Sequence, residues 1–293
     1  MTEPEPPRAT PIAFAPGIRR IVAANPGPMT YHGTNCWLID TDDGTVVLDP
    51  GSAEPDHLDA IEREAGRIGL ILLSHTHADH LTGVAELAAR TGAPTAGFHR
   101  PAGGDFTPDL PLVDGQTIAG LRVLHTPGHA MDHLCFVRPG GIVFVGDHIM
   151  GWSTSVVPPP PAGDLVAYLE QLARLRDLPA KVFLSGHGPA ITEPARLTRI
   201  LIDHRLARES AIEALIDDTP RDLDALFPRA YPRIQRALGF AATANLLGHL
   251  DKLERDGRIV AEPYTPPVDR PPRRDTPFDM SRFDNLAWRR PRR

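Results

Sequence analysis

The sequence predicts a mixed α/β sandwich followed by a small helical module, and three observations carry that prediction. Short apolar runs rich in Val, Ile and Leu alternate with amphipathic stretches between residues 18 and 190. The pattern then changes to long helical periodicity, and beyond residue 263 prolines dominate. At 293 residues the chain is longer than one typical domain, and its 41% hydrophobic content supplies a sizeable core.

The strands are read in order. "IRRIVAA", "NCWLI", "TVVLD", "IGLILLS", "LRVLHT", "HLCFV", "IVFVGD" and "KVFLSG" are short and mostly bounded by Gly, Asp, Asn or Pro. Between them, "EPDHLDAIEREA", "GVAELAARTG" and "GDLVAYLEQLARLRDL" place apolar residues at three- and four-residue spacing, with Gly or Pro after their ends, and predict helices. Strands buried between helical layers argue for an α/β or α+β sandwich over residues 18–190. Residues 1–17 read as a flexible leader.

After "SGHGP", residues 193–217 predict one long helix, and "FAATANLLGHLDKLERDG" a second with Gly257 as its stop. "RIVAE" then reads as a short β-wing, so residues 191–262 form a helical module. Residues 263–293 read as an extended Pro/Arg-rich tail, draped over the body through Phe278, Phe283 and Trp288.

Charge is regional. The whole chain carries −6, but residues 1–190 carry −9, residues 191–260 are neutral and residues 261–293 carry +3. Cys36 and Cys135, the only cysteines, sit far apart inside apolar runs and imply neither a disulfide framework nor a thiolate metal site. "MTEPEPPRAT" lacks the basic start and apolar stretch of a secretory signal, and no apolar run reaches the roughly 18 residues of a membrane span. A cytoplasmic protein without a membrane partner is the expectation.

The chemistry concentrates in "ILLSHTHADHLTG", where His75, His77, Asp79 and His80 crowd into six positions directly after a strand. Neutral imidazoles and carboxylates suit zinc and its neighbours, and two adjacent cations need about seven protein ligands. Three further groups stand in the same context, each after a strand and beside a glycine: His129 in "LHTPGHA", Asp147 in "IVFVGDH" and His187 in "VFLSGHG". An isolated H-x-H is usually a strand cap or loop filler; seven ligand-type residues at strand ends are not.

"HTHADH", "TPGHA", "VGDH" and "SGHG" together resemble the metallo-β-lactamase superfamily, whose pattern H-x-H-x-D-H, then H, D and H, is matched at every ligand position over roughly residues 18–190. The resemblance implies a four-layer αββα sandwich with a two-metal site at one edge. It assigns His75, His77 and His129 to one cation, Asp79, His80 and His187 to the other, and Asp147 to both. Zinc is the first candidate metal, with iron or manganese as alternatives, because His and carboxylate bind all three. Two cations lower the pKa of a shared water towards about 7, so the nucleophile is solvent. Asp79 is the catalytic candidate, placed to orient that hydroxide. No Ser-His-Asp arrangement competes, since "GTNC" and "GWSTS" lack a nucleophile elbow.

"HGPAITEPARLTRILIDHRLARE" and "LLGHLDKLERDGRIV" further resemble the branch that ends in a winged-helix-like domain, which includes an RNA-cleaving protein and thioesterases acting on carrier-bound polyketides. A nucleic-acid-binding helix normally carries excess Lys and Arg; here Lys252 and Arg255 are offset by Asp251, Glu254 and Asp256. The expectation is a small-molecule or carrier-bound ester, thioester or lactone, with single-stranded RNA second. The module then roofs the cleft or makes a homodimer. A metal-stabilised scaffold without catalysis is the alternative of another class. A glyoxalase-type or persulfide-oxidising relative is disfavoured by the threonine in "DHLTG".

Substrate contacts are sought near the cluster. His32, in "YHGTN", and Trp152, Ser153 and Thr154, in the rigid loop before four consecutive prolines, are the candidates. His133 is a candidate for orienting a ligand loop. His148 should turn away from the metals by strand alternation.

Overall fold

Alternation along the strands decides which face each residue covers, and the computed structural model, which describes residues 1–103, 105–265 and 280–291, shows two sheets sharing one apolar seam. The first sheet runs in chain order as β1 (Ile12–Ala15), β2 (Ile18–Val22), β3 (Asn35–Thr41), β4 (Gly44–Leu48), β5 (Ile68–Leu72), β6 (Thr95–Phe98) and β7 (Leu110–Leu112). Pairing is antiparallel from β1 to β4 and parallel from β4 to β7. The second sheet contains β8 (Thr117–Ile118), β9 (Leu121–His125), β10 (Leu134–Arg138), β11 (Ile142–Gly146) and β12 (Val182–Ser185), in the order β12-β11-β10-β9-β8.

Trp37, Ile39, Val46, Leu48, Leu70 and Leu72 of the first sheet face Val123, Leu134, Phe136, Phe144 and Leu184 of the second. Their sequence neighbours point outward to helices. Cys36, Leu38, Val47 and Ile71 pack on α1 (Pro55–Ala65) and, beyond the single helical turn α2 (Ala78–Leu81), on α3 (Val84–Thr91). Leu124, Cys135, Val143 and Phe183 pack on α4 (Leu165–Arg176). The architecture is therefore the four-layer αββα sandwich. Helix α4 starts where it does because the Asp164 carboxylate accepts the orphan N–H groups of Val166 and Ala167 at 2.8 and 3.1 Å.

The C-terminal module packs α5 (Pro194–Glu213), α6 (Leu223–Ala230) and α7 (Gly239–Arg255) against a three-stranded sheet of β13 (Arg221–Asp222), β14 (Val260–Pro263) and β15 (Leu286–Arg289), ordered β13-β15-β14. No helix among the described residues is long and apolar enough to cross a membrane.

Several expectations are corrected. The first 17 residues are not loose: β1 pairs with β2, the Arg8 guanidinium donates to the Ala23 carbonyl at 2.6 Å, and Glu3 pairs with buried Arg20 at 2.9 Å. The tail is not draped over the body. β15 is the central strand of the third sheet, and Trp288 and Phe283 are buried in the module's core, because a two-stranded wing could not cover that face alone. Phe278 lies outside the described residues. The long helix ends at Glu213 rather than residue 217, where Arg290 N–H bonds the Asp217 carbonyl and draws the chain towards β13. The turn α2 replaces a loop expected at residues 75–80. The short strands β1, β6, β7 and β8 were not predicted because their alternation spans too few residues.

Candidate metal centre

Strand ends of both sheets meet at one edge of the sandwich. β5 delivers His75 and His77, α2 carries Asp79 and His80, the loop after β9 brings His129, and Asp147 and His187 follow β11 and β12. Three imidazole nitrogens form the first group: His75 Nε2 and His129 Nε2 lie 2.9 and 3.0 Å from His77 Nδ1. Ligand nitrogens on a tetrahedral zinc, at about 2.05 Å from the metal, are about 3.3 Å apart, so this spacing suits one small cation. In the second group, Asp79 Oδ2 lies 3.1 Å from His187 Nε2 and 3.6 Å from His80 Nε2. Asp147 stands between the groups: Oδ2 is 3.2 Å from His187 Nε2 and 3.9 Å from His129 Nε2, while Oδ1 is 3.5 Å from His80 Nε2.

The atoms that face the centre lack partners. Asp147 Oδ1, His80 Nε2 and His187 Nε2 are buried and accept or donate no hydrogen bond. Unpaired groups of this kind cost folding energy unless something binds them, and convergent lone pairs with two carboxylates fit a pair of divalent cations. The seven residues therefore fit the group their chemistry implies.

Their outward atoms, by contrast, are anchored. His129 Nδ1 donates to the Val156 carbonyl at 2.7 Å and His187 Nδ1 to the Gly33 carbonyl at 3.3 Å. His75 Nδ1 is 3.0 Å from Ser74 Oγ, which donates to Asp49 Oδ2 at 2.7 Å. The same Asp49 oxygen is 3.0 Å from His80 Nδ1. The hydrogen bonds at His129, His187 and His75 fix those imidazoles' tautomers and turn their other nitrogens inward, while Asp49 faces His80 Nδ1 as a charge contact. His133 holds the Asp147 loop, accepting the Asp147 N–H at Nε2 (3.1 Å) with Nδ1 against Thr126 Oγ1 at 2.8 Å. His148 points away, its ring 4.6 Å from that of Tyr168. Gly186 is required by proximity: a Cβ there would lie 2.3 Å from Asp147 Oδ1.

Electrostatics separate the two groups. Burial strips the charged form from His75 and His129, lowering His129 to about 4, and leaves neutral imidazoles ready to ligate. Burial also opposes charge on His187 and His80, but Asp147 and Asp79 reverse it; His187 rises to about 9, and His80 well above its ordinary value. Burial likewise opposes charge on the two carboxylates, yet those imidazoles hold both below the usual range. Both carboxylates thus stand with the second group, where a divalent cation would displace the imidazole protons.

A cavity of about 180 Å³ adjoins the centre, bounded by the loop 150–156, by α5 and α7, and by the segment 231–238 that follows α6. Trp152, Ser153 and Thr154 line it; His32 does not, its ring resting on Tyr31 with Nε2 3.2 Å from the Glu3 carbonyl. The module grips this loop. Arg205 of α5 donates to the Ser155 carbonyl and, at 2.8 Å, to Asn245 Oδ1 of α7, which also accepts Val157 N–H at 3.0 Å. Val156, whose carbonyl anchors His129, lies between those two contacts. Close approach of α7 depends on Gly248, where a Cβ would fall 2.5 Å from the Val157 carbonyl oxygen. Asp49, Ser74, Arg205 and Asn245 escaped the sequence reading. "VVLDPG" carried a signal for Asp49, a strand-end aspartate like Asp147; Arg205 and Asn245 had none, because their partners are backbone groups distant in sequence.

Comparison with known proteins agrees with this geometry. A family model described as the metallo-β-lactamase superfamily matches residues 29–187, and one described as the β-lactamase associated winged helix domain matches residues 223–264. A Drosophila melanogaster protein named β-lactamase-like protein 2 homolog is 31% identical over 265 residues, 83% of this chain and 89% of its own length. A thioesterase of Emericella nidulans, pkgB, is 34% identical over 208 residues, 68% of this chain and 58% of that longer protein. Among solved structures, a metallo-β-lactamase family protein from Thermus thermophilus superposes with a TM-score of 0.74 at 23% identity, over 95% of this chain and 100% of that one.

Proposed function

The chain belongs to the metallo-β-lactamase superfamily and is a hydrolase of it, and within that class we propose that it cleaves a small or carrier-bound thioester, using two divalent cations, zinc in the first instance, held by His75, His77 and His129, by Asp79, His80 and His187, and by Asp147 between them. When bound, the cations supply hydroxide near neutral pH and positive charge to offset a developing oxyanion. Of the two aspartates, Asp79 is the accessible one, its side chain 29% exposed against 8% for Asp147. Asp79 Oδ2 accepts a hydrogen bond from the nucleophile and aims its lone pair at the carbonyl carbon; as the new C–O bond forms the C–S bond breaks, the acid product gives up its proton to solvent, and the departing thiolate takes one from solvent. Trp152, Ser153 and Thr154 border the acyl group.

The observation that carries this reading is the cavity beside the ligand cluster, which is small, lined largely by apolar side chains, and walled on one side by helices of the module. A thioester acyl group suits such a space; a strand of RNA suits a basic groove. The thioesterase name of the pkgB relative points the same way. The test is a panel of thioesters, lactones, phosphodiesters and single-stranded RNA presented to metal-loaded protein, with Asp147→Asn as control. Thioester hydrolysis lost in the variant supports the reading. Cleavage of RNA with thioesters untouched refutes it.

A further inference from the structure

Two arginines line the cavity, and neither is held by an ion pair such as those of Arg20, Arg255 and Arg258. Arg205 is 3% exposed, yet it bonds only the Ser155 carbonyl and the Asn245 amide and lies over the Tyr168 ring at 5.3 Å. Arg208, one turn along the same helix, donates to the Ala230 carbonyl at 3.1 Å and covers the Tyr231 ring at 4.9 Å. Neither has a carboxylate within ion-pair distance among the described residues. The contrast is with Arg20, also buried and paired with Glu3 at 2.9 Å, and with Arg255 and Arg258, paired with Asp164 and with Glu209 and Glu213. A buried, uncompensated guanidinium is costly to retain. Here Arg205 is such a group, half-buried Arg208 lines the cavity with it, and His204 beside them is held below its ordinary pKa by burial and then by both cations.

Much of the remaining lining is apolar, with Met29, Met150, Trp152 and Leu238. Val156, in the same lining, touches the ligand His129, so the cavity begins one residue from the metal cluster. An occupant that satisfies both walls is a short apolar chain ending in an anion. At about 180 Å³ the space is smaller than the roughly 300 Å³ of a drug-sized site and matches an acyl group of a few carbons.

We propose that this cavity is a carboxylate-recognising acyl subsite, and that the preferred substrate is the monothioester of a short dicarboxylic acid, its free carboxylate held by Arg208 in the field of Arg205. This rests on the thioesterase reading and narrows it. The planar guanidinium of Arg208 accepts a carboxylate end-on or bidentately. Arg205, its donors spent on the loop, contributes charge rather than contact.

The experiment compares the glutaryl and pentanoyl thioesters of N-acetylcysteamine, which share an acyl length and differ in the terminal charge, on metal-loaded full-length protein. The glutaryl ester is expected to have the higher kcat/KM by about tenfold or more, mainly through KM. In Arg208→Met the ratio of the two values should fall to near one, and Arg208→Lys should restore part of it; a loss of folded protein cannot change that ratio. Equal use of both esters by the unaltered chain, or a preference that survives in Arg208→Met, overturns the subsite while leaving the thioesterase reading intact. If neither ester is cleaved, the thioesterase reading fails and the subsite is judged by titration calorimetry with the corresponding thioethers, in which a methylene replaces the carbonyl. The terminal carboxylate should tighten binding about tenfold in the unaltered chain and not in Arg208→Met; equal affinities overturn it. Relief by Arg208→Met of inhibition by single-stranded RNA would assign the wall to phosphate and also overturn it.

Discussion

Asp49→Asn tests whether the ligands are oriented from outside the metal cluster. Asp49 Oδ1 accepts Ser74 N–H at 2.7 Å, Oδ2 accepts Ser74 Oγ–H at 2.7 Å, and that Oδ2 also stands 3.0 Å from His80 Nδ1. The amide that best preserves the Ser74 N–H bond keeps its oxygen at Oδ1 and puts its NH2 group where Oδ2 was. A donor then faces His80 Nδ1–H. Either that buried N–H loses the carboxylate charge that now faces it, or the proton moves to Nε2 and removes the nitrogen that would ligate. The reversed donor also leaves the Ser74 hydroxyl free to point its proton at His75 Nδ1, opposing the tautomer of a second ligand. Both routes weaken metal binding, by roughly 10–100-fold, with little change in volume. The assay is competition against a chromophoric chelator, which reads the affinities of both cations separately, beside a thermal melt of the metal-free protein. Unaltered affinity for both cations in a folded Asp49→Asn protein would refute the reasoning.

Three other perturbations bear on different parts of the molecule. Arg205→Met removes the guanidinium from the Ser155 carbonyl and from Asn245, so the 155–157 loop and the His129 anchor loosen; the chelator titration should show the first cation weakened by about tenfold or more and the second less affected. In the metal-free protein, His187 is raised to about 9 while an unfolded imidazole titrates at about 6.5. Its contribution to stability is complete below pH 6.5 and disappears as pH rises to about 9, so the metal-free melting temperature should fall across that window, whereas a flat or rising profile would contradict the Asp79 and Asp147 contacts. Trp288→Ala should destabilise the module by about 3–5 kcal/mol, read by chemical denaturation, because Trp288 is fully buried in its core; a surface-draped tail would show almost no change.

The sandwich was legible because its strands and helices are long enough to declare a period, from Asn35–Thr41 to Leu165–Arg176. Short edge strands were not, since four residues such as Ile12–Ala15 carry too little alternation to register. The tail misled for a different reason. Its prolines oppose regular structure locally, yet Leu286–Arg289 lies beyond them and completes a sheet whose other strands are about 25 and 65 residues away, a pairing no local pattern announces. At the metal centre the seven inward groups were visible because the chemistry restricts residue type. Their supports were visible only where a side chain does the supporting: Asp49 sits in a readable strand-end context, but the anchors of His129 and His187 are the carbonyls of Val156 and Gly33, and any residue has a carbonyl. The cavity, assembled from loop segments and the helices α5 and α7, is likewise a product of packing. Trp152, Ser153 and Thr154 marked one wall of it, while Arg205 and Arg208 look in sequence like an ordinary solvated helix face.

The central claim is tested most directly by an anomalous-difference map from crystals of the metal-loaded protein, recorded at the absorption edge of the bound element. Two peaks about 3.5–4 Å apart are expected, one within reach of His75 Nε2, His77 Nδ1 and His129 Nε2, the other of Asp79, His80 and His187, with Asp147 touching both. A single peak, or two peaks held by other side chains, would contradict the account.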